Sequence, residues 1–147
     1  MKAFVAILAL AICSTAGAGL KETKQLKEWN DYLKDPSKSY SQTFKDKCGY
    51  NMDVTLDEKF VTPFLADNSN AASFCDTPRS VMAGMCADAT SKQAITKDVK
   101  KIACKYSSEK AKLEFKLDKK TKVLEMTVGV GAANIDTVAK TYLENNL

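Results

Sequence analysis

The sequence predicts a single α+β domain that is exported from the cytosol and stabilised by disulfides. Three features predict this class: amphipathic helical patterns near both ends of the predicted mature chain, two neighbouring segments with strand-like alternation, and four cysteines that follow a short apolar leader. The chain of 147 residues has the length of one domain. Its 45% hydrophobic and 27% charged residues match ordinary globular proteins and argue against a disordered or multi-span membrane chain.

Residues 1–18 have the pattern of a signal peptide. Met1-Lys2 precedes an apolar run over residues 3–12, which is too short to cross a bilayer that requires about 20 residues. Ala16 and Ala18 form an A-x-A pattern, so we expect cleavage after Ala18 and a mature domain of residues 19–147. No later apolar run is long enough to span a membrane. The expected location is therefore secreted or periplasmic.

An amphipathic helix is predicted over residues 21–34. Its apolar residues recur at helical spacing: Leu26, Trp29 and Leu33. Asp35-Pro36 is expected to end the helix, because proline disfavours helical geometry at the residue before it. The following stretch, residues 37–47, is rich in Ser and Lys and is predicted to be a loop.

The next segment alternates between apolar and polar residues, as a half-buried strand does. Its apolar positions are Tyr50, Met52, Val54 and Leu56. Residues 57–66 have three apolar residues at the spacing of a short helix, but Pro63 and the polar run 67–70 weaken that pattern. We therefore expect residues 57–66 to be irregular.

Two helices are predicted in the middle of the chain. Thr77-Pro78 has the composition of a helix start, because a hydroxyl can cap the free amides and proline is tolerated in the first turn. This helix is expected to end between Cys86 and Asp88. A second helix is predicted to start at Ser91, with an apolar face made of Ala94, Ile95, Val99 and Ile102. We expect the two to form an antiparallel helical hairpin.

The clearest strand pattern lies near the C-terminus. Residues 113–117 and 124–130 alternate on either side of a polar turn at residues 118–121, which predicts an antiparallel β-hairpin. Its apolar face comprises Leu113, Phe115, Leu117, Leu124, Met126, Val128 and Val130. A C-terminal helix, capped by Asn134, is predicted to cover this face with Ile135, Val138, Ala139, Tyr142 and Leu143.

Four cysteines remain after the predicted cleavage: Cys48, Cys75, Cys86 and Cys104. An even number in an exported chain predicts two disulfides, and four cysteines allow three pairings. The predicted helical hairpin brings the residue before its first helix close to the residue after its second, which favours Cys75 with Cys104 and leaves Cys48 with Cys86. The rival bridge from Cys75 to Cys86 requires that the residues between them not form a straight helix.

The residue types present exclude several catalytic systems. The chain has no histidine, so Ser-His-Asp and Cys-His nucleophilic systems and imidazole metal ligands are absent. The cysteine spacing contains no C-x-x-C pair, so no zinc or thiol redox motif is predicted. No catalytic, cofactor-binding or metal-binding residue is assigned, and an enzyme is not favoured. The remaining acid–base candidates are Asp53, Asp57 and Glu58, which in a shared cleft would serve a hydrolase.

Lysines near the predicted helix end and hairpin turn form a candidate surface for an anionic partner. They are Lys97, Lys100, Lys101, Lys116, Lys119, Lys120 and Lys122. Acidic residues lie between them and the chain has a single arginine, so a solvated surface explains the same pattern and nucleic acid is not an expected partner. Eight aromatic residues in the first half of the mature chain are either core residues or the lining of a small apolar pocket: Trp29, Tyr32, Tyr40, Phe44, Tyr50, Phe60, Phe64 and Phe74.

These observations favour an exported, non-catalytic binding module whose partner is an unknown protein or an anionic surface. The absence of histidine and of any nucleophile motif supports this interpretation. A carrier of a small apolar ligand and a carboxylate-dependent hydrolase are the alternatives.

Overall fold

A computed structural model describes the backbone of residues 15–147 and the side chains of residues 19–147. The predicted α+β class is confirmed: the described part of the chain contains six α-helices and one four-stranded sheet. The helices are α1 (Thr15–Lys34), α2 (Ser41–Cys48), α3 (Val61–Ala66), α4 (Ala71–Met85), α5 (Ala89–Asp98) and α6 (Ile135–Asn146). The strands are β1 (Asp53–Leu56), β2 (Lys101–Ser107), β3 (Leu113–Asp118) and β4 (Val123–Gly129).

The four strands form a mixed sheet in the order β1-β2-β4-β3. The pairs β1–β2 and β2–β4 are parallel, and β3–β4 is antiparallel. Cys104, Met126 and Phe115 lie in register across the three strands β2, β4 and β3, and all three are buried. Residues one position away along each strand are more exposed, so the helices cover one face of the sheet.

The C-terminal hairpin and its covering helix are confirmed. Leu117 pairs with Leu124 in the antiparallel register, and the turn between the strands lies at residues 119–122. The backbone N–H of Leu117 donates to the Tyr142 hydroxyl of α6 at 2.6 Å. Asn134 occupies the expected N-cap position, but the expected capping bond is absent, because Asn134 adopts a left-handed conformation and its side chain makes no capping hydrogen bond.

The sequence pattern misassigned the segment that becomes the central strand β2. Ile102 was expected on a helix face with Ile95 and Val99, but α5 ends at Asp98 and Val99 is already extended. In β2 the buried residues are Ile102 and Cys104, which follow a two-residue period. The strand is stabilised by neighbours on both sides, an effect that local periodicity does not report.

Helix α4 begins six residues earlier than Thr77, so the predicted start at Thr77-Pro78 is wrong. Asn70 is the N-cap, and its side-chain oxygen accepts from the N–H groups of Ala72 and Ser73 at 3.0 and 3.3 Å. Pro78 lies inside the helix, at the cost of one helical hydrogen bond. The predicted end of this helix near Cys86 is confirmed.

Substitution of Asn70 tests the observed start of α4. The variant Asn70→Ala loses both capping bonds, and we expect the free energy of unfolding to fall by about 1 kcal/mol. Asn70→Asp keeps a capping oxygen and should stay within about 0.5 kcal/mol of the parent. Urea denaturation measures both values, and equal stability of the two variants would contradict this assignment.

Two segments expected to lack helix are helical. Residues 37–47, expected to be a loop, contain most of α2, which buries Phe44 and Cys48 and ends at Gly49 with φ of 90°. Residues 57–66 form a 3₁₀ turn (Glu58–Phe60) followed by α3. Both helices are short, so tertiary packing of a few buried side chains stabilises them more than local propensity does.

Both predicted disulfides are present. Cys48 and Cys86 join the end of α2 to the end of α4, with Cα atoms 5.3 Å apart. Cys75 and Cys104 join α4 to β2, with Cα atoms 5.8 Å apart. The bridges therefore connect α4 to α2 and to the sheet, whereas the sequence argument placed Cys75 before its helix rather than within it.

The predicted signal peptide, residues 1–18, lies almost entirely outside the described residues, and cleavage after Ala18 stays a prediction. None of the helices in residues 15–147 combines the length and the apolar character that crossing a membrane requires.

Candidate functional site

The site with the strongest case for binding is a groove at the β1 edge of the sheet, with a volume of about 540 Å³. We call it the β1 groove. The end of α1 and the start of α2 form one wall, and residues 51–55 form the other. Its lining residues are Leu33, Lys34, Pro36, Ser41, Gln42, Lys45, Asn51, Met52, Asp53, Val54, Thr55, Arg79 and Lys101.

A buried ion pair lies beneath the β1 groove. Arg79 is 2% exposed and Asp76 is fully buried. The Arg79 guanidinium binds Asp76 Oδ1 through Nε at 2.7 Å and through Nη2 at 2.5 Å. The other carboxylate oxygen accepts from the backbone N–H of Tyr40 at 2.8 Å.

The same guanidinium also joins the two walls of the groove. Arg79 Nη2 donates to the carbonyl of Leu33 at 3.0 Å, and Nη1 donates to the carbonyl of Met52 at 3.3 Å. Leu33 belongs to α1, and Met52 directly precedes β1. Arg79 therefore fixes the distance between the walls, which a lysine with its single ammonium cannot reproduce.

Desolvation dominates the electrostatics of the buried pair. Burial raises the pKa of Asp76 above its ordinary value, although the Tyr40 N–H and the Arg79 charge lower it. The pair therefore depends on its complete set of hydrogen bonds, because removing one partner leaves an uncompensated buried charge.

The rim of the β1 groove is basic. Lys34 and Lys45 are exposed and Lys101 is half-buried, whereas Asp53 is the sole carboxylate in the lining. Because Arg79 is neutralised by Asp76, the three lysines and one aspartate leave a net charge of +2. None of these four residues forms an ion pair with another residue in the described part of the chain.

The structure brings together part of the predicted lysine surface. The backbone N–H groups of Lys100 and Lys101 donate to the Lys122 carbonyl at 2.8 and 3.3 Å, which places the start of β2 beside the β3–β4 turn. Lys119 in that turn lies 3.8 Å from Asp98 at the end of α5. Lys97 and Lys120 are exposed on the same two segments, whereas Lys116 lies on the strand β3 opposite Glu125. Lys101 is the one member of the seven that lines the β1 groove.

The three candidate carboxylates do not share a cleft. Asp53 lines the β1 groove, but Asp57 caps the 3₁₀ turn by accepting from the N–H of Lys59 at 3.1 Å. Glu58 is exposed and lines a different depression, beside Glu22. This arrangement gives no support to a paired-carboxylate hydrolase, which requires both groups on either side of one substrate.

The aromatic residues pack mainly against one another. The ring centroids of Phe60 and Phe64 are 5.1 Å apart, and those of Phe64 and Phe74 are 5.6 Å apart. Phe44 contacts Tyr50 at 5.0 Å. These edge-to-face contacts are those of a packed core, and none of these five rings lines the β1 groove.

A second, larger depression lies between α4 and α6, with a volume of about 910 Å³. None of its lining residues is buried, so it is a shallow part of the surface. Three of its four charged residues are already engaged, because Asp88 caps α5 and Lys140 pairs with Glu144; the fourth is Asp136. The β1 groove has a buried floor and three lysines outside any ion pair, and this depression has neither feature.

Comparison of the chain with known protein families, with curated proteins and with solved structures yields no match.

Sequence reasoning missed most of the β1 groove. In the sequence, nothing distinguishes Lys34 and Lys45 from ordinary surface lysines. Asp76 and Arg79 were not predicted to share a helix, because the helix was wrongly expected to start between them, at Thr77-Pro78. The available signal was the i, i+3 spacing of an acid and the sole arginine in an otherwise apolar segment, which suggests a buried pair on one helix face.

Proposed function

We propose that the protein is an exported, non-catalytic binding module that uses the β1 groove to hold an acidic partner. The observation that carries this proposal is a groove whose floor is a buried arginine, with a hydrogen bond from each of its three side-chain nitrogens, and whose rim has unpaired lysines. Unpaired lysines beside a concave surface attract anionic groups and orient their approach.

The two disulfides support the exported, rigid character of the module. Each bridge holds α4, which carries the Asp76–Arg79 pair, against another element: α2 in one case and β2 in the other. The helix that supplies the floor is therefore cross-linked to α2, part of one wall, and to β2, the strand that pairs with β1. A preorganised site loses less conformational entropy when it binds.

Charge reversal at the rim tests the proposed function. We expect the double variant Lys34→Glu/Lys45→Glu to bind the partner at least about tenfold more weakly, because two favourable charge contacts become repulsive. Lys21→Glu/Lys110→Glu is the matched control: it changes net charge equally at exposed positions that lie outside the groove and outside the predicted lysine surface.

The measurement is affinity capture from the extracellular or periplasmic fraction of the native source, with the three mature proteins immobilised in parallel. A partner retained by the parent and the control but lost by the groove variant supports the proposal. Identical retention by all three proteins, or equal loss with both variants, would show that the β1 groove is not the binding site.

A further inference from the structure

The outer edge of β1 has unpaired backbone groups. The N–H of Asp57 donates to the Cys104 carbonyl of β2 at 3.1 Å, which fixes the direction of the backbone groups along β1. Alternate residues of a strand point their N–H and C=O groups to opposite sides, so Thr55 faces β2 while Val54 and Leu56 face away. Within residues 15–147, no strand pairs with this outer edge.

The opposite edge of the sheet is protected. On β3 the outward N–H of Leu117 is taken by the Tyr142 hydroxyl of α6. Charged residues also flank this edge, with Lys112 paired to Glu109 and Glu114. Covering and charging an edge are the usual devices against strand addition, and β1 has a groove beside its edge instead.

The β1 groove runs along this open edge. Five consecutive residues, 51–55, line it, so the groove includes the outward-facing Val54 and stops one residue before Leu56. Arg79 binds the outward carbonyl of Met52, so it closes the edge just before β1 and keeps α1 apart from the strand. An extended chain beside Val54 and Leu56 would face Lys34 and Lys45 on the opposite wall.

The positive charge of the β1 groove decides which kind of extended chain can bind beside β1. A second copy of this protein would place two basic grooves against each other, and like charges in apposition disfavour that pairing. An acidic peptide brings carboxylates to Lys34, Lys45 and Lys101 while its backbone pairs with β1.

We infer that the β1 groove binds an extended acidic segment of a partner protein as an added fifth strand on β1. This inference rests on the proposed function and names its partner class and its mode of recognition. Backbone hydrogen bonds to Val54 and Leu56 supply the register, and the lysines of the rim select acidic side chains.

The test begins with a library of random ten-residue peptides displayed and selected on the parent protein. We expect the selected peptides to be enriched in Asp and Glu alternating with β-branched residues. Val54→Pro should weaken their binding at least tenfold, because proline removes an outward N–H without removing a bond to β2. Lys34→Glu/Lys45→Glu should weaken it similarly, and Lys21→Glu/Lys110→Glu should leave it unchanged.

A second arm leaves the protein unaltered, so that misfolding of the proline variant cannot decide the result. Two forms of one selected peptide carry N-methyl groups on alternate backbone amides, in the two possible phases. Strand addition predicts that one form loses at least tenfold in affinity and the other does not. Hydrogen exchange should also show at least tenfold slower exchange of the Val54 and Leu56 amides in the complex, with the inward Thr55 amide as the unchanged control.

The outcomes separate the inference from the proposed function. One outcome is that acidic peptides depend on Lys34 and Lys45 but bind Val54→Pro as well as they bind the parent, with no change in amide exchange. That outcome would overturn strand addition but leave the β1 groove as the binding site for acidic partners. Selection without acidic enrichment, or a β1-paired dimer of the protein in sedimentation, would also overturn the inference. Failure of the capture experiment as well would overturn the proposed function.

Discussion

Replacing Asp76 by asparagine is expected to lower the free energy of unfolding by about 3–5 kcal/mol, the cost of leaving a buried charge without its partner. The Arg79 guanidinium is 2% exposed, so water cannot replace the lost carboxylate without opening the core. The asparagine has a single acceptor oxygen, so it cannot accept from both Arg79 and the Tyr40 N–H at the start of α2, as Asp76 does. The β1 groove should also change shape, because Arg79 without its partner no longer holds the carbonyls of Leu33 and Met52 in place.

The measurement is urea denaturation followed by the fluorescence of Trp29, the sole tryptophan, which is 4% exposed. The double variant Asp76→Asn/Arg79→Met should be less destabilised than the sum of the two single variants, because it leaves no uncompensated charge. Glu28→Gln is the control: it breaks the exposed Lys24–Glu28 pair and should cost less than about 1 kcal/mol. Equal small effects of Asp76→Asn and Glu28→Gln would show that the buried pair does not stabilise the fold.

Removing either disulfide is expected to cost about 3.5–4 kcal/mol, because each bridge removes loop-closure entropy from the unfolded chain. The loops span 29 residues for Cys75–Cys104 and 38 residues for Cys48–Cys86, so the two losses should be similar. All four cysteines are buried, and their replacement by alanine also leaves small cavities.

The paired variants Cys75→Ala/Cys104→Ala and Cys48→Ala/Cys86→Ala separate the two contributions in thermal and urea denaturation. A reductant should strongly lower the free energy of unfolding of the parent and should lower that of each paired variant less. It should not change the stability of the variant that lacks all four cysteines. If reductant left the stability of the parent unchanged, the bridges would not be a source of stability.

The elements that the sequence predicts best are those whose burial is local. Strands β3 and β4 alternate cleanly on one face, and they pair through a four-residue turn. Helix α6 repeats apolar residues at helical spacing, and Ala139 and Leu143 are fully buried as expected. In these elements the local pattern and the tertiary environment agree.

Elements that depend on distant partners escaped prediction. Ile102 fits both the helical period of Ile95 and Val99 and the two-residue period of β2, and pairing with β1 and β4 decides between them. The cysteine pairing was correct although Cys75 lies inside α4. The prediction placed Cys75 just before its helix and Cys104 just after the next one. In the structure Cys75 lies within α4 and Cys104 lies in β2, so the packing of α4 against the sheet brings the two together.

The candidate site was the least predictable feature. Its residues come from α1, α2, β1, β2 and α4, and no sequence spacing links Lys34 to Lys101. Lysines are common on every protein surface, so their convergence at a groove becomes visible only in three dimensions. The predicted surface formed by Lys100, Lys119 and their neighbours remains a prediction beside it.

We propose above all that the chain works outside the reducing cytosol, with two bridges that hold the β1 groove in shape. Mass spectrometry of the protein from its native source, with thiols trapped before lysis, tests it most directly. We predict a mature chain that starts at Gly19, no trapped thiol, and the cross-linked peptides Cys48–Cys86 and Cys75–Cys104. A chain that retains Met1 and carries trapping agent at all four of these cysteines would contradict it.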